Sequence, residues 1–198
     1  NIVVDKFHIV QLLTRELNKL RINEMKKLNT RSREYKILKR YWKIPLTRKR
    51  DLNSIYFYKN RHFKNMTSSV DILDYMLKEF PNLKEAYDFY QNFLLSISKN
   101  DVAMLEDILN TRTDEIPMCF RKSIKSLKKL RKYVVNSLKY DYTNAMVEGK
   151  NNKIKVIKRV SYGYRSFRNF KARIMLMERY KIQKGNIHSY KFAMDAAA

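Results

Sequence analysis

The chain has 198 residues, of which 44% are hydrophobic, and its 43 Lys and Arg against 19 Asp and Glu give a formal net charge of +24. That is enough apolar material for one domain or two small ones, and a charge that favours polyanions, either nucleic acid or an anionic surface. No apolar run approaches the roughly 18 residues of a spanning helix and no signal-peptide pattern opens the chain, while a lone Cys119 and scattered His8, His62 and His188 exclude a disulfide framework and zinc-ligand spacing.

With three glycines and three prolines, the chain reads as helix nearly everywhere. The exception is the opening, where Ile2, Val3 and Val4 form a β-branched run suited to a buried parallel strand. Such a strand needs neighbours, so it is expected to belong to a larger sheet. From His8, apolar residues at Ile9, Leu12, Leu13, Leu17, Leu20, Met25 and Leu28 recur at three- and four-residue steps. They predict a long amphipathic helix, which could continue through Tyr35 and Leu38 to Trp42, about 50 Å if unbroken. Pro45 ends it at the latest, and the segment from Thr47 to Ser54 reads as an exposed basic connection.

Ser68 and Asp71 have the spacing of a capping box ahead of Val70, Leu73, Met76 and Leu77. Pro81 and Asn82 punctuate, and Leu83, Tyr87, Tyr90 and Leu94 mark the next helix. Asp101 caps a short helix over Val102 to Leu109. A further long helix follows Ile116, Phe120, Ile124, Leu127, Leu130, Val134 and Leu138, with Lys122, Lys125, Lys128, Lys129, Arg131 and Lys132 on its outer side.

The segment from Asn144 to Phe170 carries the densest chemistry. Glu148 is the only acidic residue between Asp141 and Glu178. Around it stand Lys150, Lys153, Lys155, Lys158, Arg159, Arg165, Arg168, Lys171 and Arg173. Asn144 is placed to cap a helix, with Glu148 where the dipole stabilises a carboxylate. Steps of four, three and four from Glu148 reach Asn152, Lys155 and Arg159, which share a face. Gly163 is expected to break this helix, with Tyr162 and Phe170 in the core. Interleaved aromatic and Arg residues suit a surface that grips a nucleic-acid backbone. On these grounds alone Glu148 is either an ordinary first-turn acid or a metal ligand at such a surface.

The spaced string Asn144-Ala145-x-x-Glu148-Gly149-x-Asn151-Asn152-x-Ile154-Lys155-x-Ile157-Lys158-Arg159-x-x-Tyr162-Gly163-Tyr164-Arg165-x-Phe167-x-Asn169-Phe170-x-x-Arg173-Ile174 resembles the closing motif of bacterial insertion-sequence transposases of the ISL-three family. Ala145 departs from it, standing where glycine is usual. Asp5 and His8, three apart, resemble the family's Asp-x-x-His segment, and the middle of the chain is similar to its all-helical insertion.

The resemblance implies a mainly α fragment of an RNase H-like core: one residual strand plus C-terminal helices, with a helical insertion. Residues 1–20 would hold the strand and the start of a helix, 21–140 the insertion, 141–182 the core helix with its basic and aromatic motif, and 183–198 a tail. Glu148 would be the third carboxylate of a catalytic set that holds two Mg²⁺ ions. The partner aspartates belong to strands upstream of the Asp-x-x-His segment, so this chain alone is expected to be inactive.

Lys150, Asn152, Lys155, Lys158, Arg159, Arg165, Arg168 and Arg173 would contact DNA, while Asp5, His8, Trp42, Gly149, Tyr162 and Gly163 hold motif or structural positions. Trp42 is expected as a core anchor, or else as a stacking platform for a flipped base, as in some transposases with helical insertions. The resemblance further implies insertion-sequence ends and target DNA as partners, a possible homo-oligomer, no membrane, and the bacterial cytoplasm. The competing expectation is a non-catalytic basic helical module that binds nucleic acid.

Overall fold

The computed structural model describes residues 3–140, 145–183 and 191–194. The chain separates into two compact units, Asn1–Tyr142 and Thr143–Ala198. The first is a helical assembly of α1 (Lys6–Lys26), α2 (Arg33–Arg40), α3 (Ser69–Glu79), α4 (Pro81–Lys99), α5 (Val102–Asn110), α6 (Arg121–Lys129) and α7 (Arg131–Lys139), with a short hairpin, β1 (Tyr58–Lys59) and β2 (Met66–Thr67), between α2 and α3. The second holds α8 (Ala145–Val160), α9 (Phe167–Arg179) and a hairpin of β3 (Tyr180–Gln183) and β4 (Lys191–Met194). Neither hairpin carries a periodicity that the sequence analysis recognised.

Helix α1 is the hub of the first unit and packs on α2, α4, α6 and α7. Ile9, Leu13 and Leu17 lie four apart and are fully buried, so this stripe faces the core. Burying one such side chain contributes about 1.5–3 kcal/mol. The next step of the stripe is Arg21, buried to 6% exposure. Its Nη1 donates to Leu38 O (2.7 Å) and its Nε to Asn18 Oδ1 (2.9 Å), which ties α1 to α2. Thr14 and Tyr90 hydroxyls, 2.7 Å apart, join α1 to α4.

Several expectations need correcting. Val3 and Val4 are not strand, and Val4 N–H donates to Tyr133 O instead (3.4 Å). No described strand lies alongside to complete a ladder; Ile2 lies outside the described residues. The single helix from His8 to Trp42 is two helices. Leu28 N–H bonds back only three residues, Asn29 Oδ1 accepts from Arg31 N–H, and Ser32 caps α2 by accepting from Tyr35 N–H (3.1 Å). The turn chemistry of Asn29 and Ser32 outweighs the continuing apolar period.

The helix from Ile116 to Leu138 is likewise divided. Pro117 leads into a 3-10 turn (Met118–Phe120), and Leu130, at φ −103° and ψ 16°, separates α6 from α7. The break turns Leu130 outward, 44% exposed, while the other six apolar positions of that stripe are buried. No glycine or proline explains the break at Leu130. The capping box at Ser68 and Asp71 and the Asp101 cap form as expected.

Candidate nucleic-acid interface

In the second unit, α8 places Glu148 in its first turn and Lys158 and Arg159 in its last, which complements the helix dipole at both ends. Asn144, the expected cap, lies outside the described residues. Ile157 is buried at 3% exposure and Ile154 is half-buried, so they form the inward side of α8, which packs on α9. Glu148, Asn152, Lys155 and Arg159 are all exposed. So are Lys150, Lys158, Arg165, Arg168 and Arg173. Among the described residues no ion pair involves Glu148 or any of these cations. The carboxylate is exposed and shares the surface of α8 with these cations.

The helix ends in a left-handed turn. Tyr162 N–H donates to Arg159 O (3.1 Å) and Gly163 N–H to Lys158 O (3.3 Å), the paired bonds of a Schellman motif. Tyr162 itself takes the left-handed position, φ 50°, and Gly163 follows at φ 98°. Gly163 thus stands at the break, as expected, but the expectation that Tyr162 is core is corrected: with its backbone turned left-handed, Tyr162 is 100% exposed. Phe170 is half-buried and packs on Tyr164 at 4.9 Å, while the Tyr164 hydroxyl lies 2.7 Å from Ser161 Oγ. These contacts fix the approach of α9, on which Arg168 and Arg173 are carried. Gly149 is exposed on α8, and a Cβ there would meet nothing within 4 Å, so packing inside the chain does not require glycine.

Asp5, His8 and Trp42 belong to the first unit. Asp5 is the N-cap of α1, its Oδ1 accepting from Phe7 N–H at 2.7 Å, and His8 is exposed with its ring edge-on to Phe7. Trp42 is not a core anchor, being 42% exposed just past the C-terminus of α2 with Lys43 Nζ 5.5 Å from its ring. A further group of cations, not expected from the sequence, brings Lys36, Lys39 and Arg40 on α2 together with Arg61 and His62 from the β1–β2 loop. The helical spacing of the first three was visible, but their meeting with the loop depends on the hairpin.

A family model described as transposase, that of the ISL-three DDE enzymes, matches residues 1–174. The chain belongs to the ISL-three transposase family. A Lactococcus lactis subsp. lactis protein named ATP-dependent protease is 38% identical over 121 residues, 61% of this chain and 38% of that protein. The chain therefore spans under two fifths of the length of that curated relative. No solved structure matches it significantly.

For a DDE transposase the implied cofactor is a divalent cation, and the donor set of this chain can be tested against it. Hard divalent ions require several oxygen ligands. Among the described residues no group of three His, Cys, Asp or Glu is placed to hold a metal. Glu148 offers one carboxylate, so the described residues do not compose a two-ion centre by themselves. No described helix is long and apolar enough to cross a membrane.

Proposed function

We propose that this transposase chain supplies the third catalytic carboxylate, Glu148, and part of the DNA-gripping surface of an enzyme that cleaves and joins DNA at insertion-sequence ends. The observation that carries the reading is the state of Glu148: it lies inside the family match, exposed, in the first turn of α8, and is held by no ion pair among the described residues. A carboxylate whose task was to neutralise the surrounding lysines would be expected to pair with one. In the reading, the other two carboxylates come from RNase H-like strands outside this sequence, and the divalent ions (Mg²⁺ by analogy with such enzymes) stabilise the attacking and leaving oxygens of a phosphodiester displacement.

A second observation supports a missing layer. Val156 and Val160 on α8 and Phe167, Met175 and Leu176 on α9 are each at least half exposed. A sheet of the RNase H-like core would cover such a surface. The same donor-set argument favours a narrower role for the chain alone: it binds nucleic acid and does not cut it.

The test is a protein in which the upstream family segment precedes this chain, assayed for divalent-ion-dependent nicking of transposon-end DNA. Glu148→Gln is expected to abolish nicking while DNA affinity stays within a few-fold. Undiminished nicking by that variant would refute the role of Glu148.

A further inference from the structure

Helix α2 and the β1–β2 loop frame a cavity of about 620 Å³ lined by Lys36, Lys39, Arg40, Arg61 and His62. The three α2 residues stand at i, i+3 and i+4, which places them on one face. Among the described residues, none of the four cations forms an ion pair with a carboxylate. Glu34, the acid on the same helix, accepts from the Tyr75 hydroxyl instead (3.3 Å).

The loop is positioned from outside the cavity. Arg33 Nε donates to His62 O at 2.7 Å, and its guanidinium lies 5.1 Å from the Phe63 ring and 4.8 Å from that of Tyr75. Asn60 bonds to Thr67 and accepts from the Tyr41 hydroxyl. The fold therefore brings mutually repelling charges to one place and holds them there without an internal counter-charge. His62 registers the result: burial, then Arg40, Arg61, Lys36 and Arg33, hold its imidazole below the ordinary range.

We infer that this cavity is a second phosphate-binding site, which takes phosphodiester oxygens of a nucleic-acid backbone at the insertion. The inference rests on the nucleic-acid reading above and adds a contact remote in sequence from the Glu148 motif. Guanidinium groups match phosphate oxygens bidentately, and the lysines add point charge. A concave cluster of this size suits a phosphate better than a flat membrane, which an amphipathic face would bind.

Lys36, Arg40 and Arg61 are exposed, so the triple variant Lys36→Ala, Arg40→Ala, Arg61→Ala should keep the fold, which an unchanged melting temperature would verify. In the 198-residue chain, inorganic phosphate is expected to shift the His62 imidazole resonances saturably, and to do so far less in the variant. With duplex DNA the variant should flatten the log–log salt dependence of affinity by about 2.7, from roughly 0.9 for each of three lost contacts.

A His62 signal indifferent to phosphate, or an unchanged salt slope in the variant while the unmodified chain binds DNA, would overturn this site and leave the Glu148 proposal standing. Equal loss of binding to poly-glutamate would reassign the cavity to an acidic protein and overturn the inference. Nicking that survives Glu148→Gln would refute the catalytic proposal without touching this one.

Discussion

Tyr162 occupies a backbone region that costs a non-glycine residue about 1–2 kcal/mol, and its fully exposed ring returns no packing energy from within the chain. Replacing it with glycine is expected to stabilise the end of α8 by about 1 kcal/mol, read as a higher melting temperature. If DNA affinity falls while stability rises, the ring belongs to the binding surface; if both are unchanged, the left-handed turn carries no strain. Gly149 poses the converse question, since a glycine beside Glu148 is not required by any neighbour among the described residues. At this scale the sequence was a good guide to identity and a poor one to orientation: the same tyrosine fits a core and a fully solvated turn. Only the backbone dihedral distinguishes the two.

At the scale of elements, capping chemistry was legible because it is local. Asp71 Oδ2 accepts from Ser68 N–H (2.8 Å) and Ser68 Oγ accepts from Asp71 N–H (3.2 Å), which satisfies two donors at the start of α3. Ser68→Ala is expected to cost about 1 kcal/mol in chemical denaturation, and a loss below a few tenths would mean that tertiary packing alone holds this terminus. The division of α1 from α2 had a local signal in Asn29 and Ser32, outweighed in the sequence analysis by a persistent apolar period. The break at Leu130 had none, and the hairpins depend on pairing between segments with weak patterns. Arg21 shows why a stripe of apolar positions can end in a charge: carbonyl and amide oxygens from α2 and α1 satisfy the guanidinium, although burial holds its pKa down.

At the scale of the molecule, burial and, after it, the surrounding positive charge have a thermodynamic consequence at His62. Its folded pKa lies below the ordinary 6.5, so the fold favours the neutral imidazole. That contribution is fully present above pH 6.5 and is lost as pH falls through the lowered folded value, because the unfolded chain takes up a proton that the folded chain resists. Stability is therefore expected to fall between pH 7.5 and 5.5 by more in the unmodified chain than in His62→Gln. Equal losses in paired thermal melts would show that neither burial nor the surrounding cations shift this site. The four cations that face His62 come from α2 and from the loop, so the effect belongs to the assembly and not to either segment.

The fixed spacing around Glu148 pointed to the family that the match over residues 1–174 shows, because a family motif is a local string whose residue types and separations are legible without knowledge of the rest of the fold. The mainly helical character was equally legible, since scarce glycine and proline and the three-to-four-residue apolar period act through neighbours along the chain. Tertiary structure alone decided that Val3 and Val4 are paired in no strand among the described residues, that α6 and α7 are separate, and that Arg61 meets Lys36. Strand pairing and the convergence of charge both depend on groups far apart in sequence, and their energies exist only once those groups are brought together.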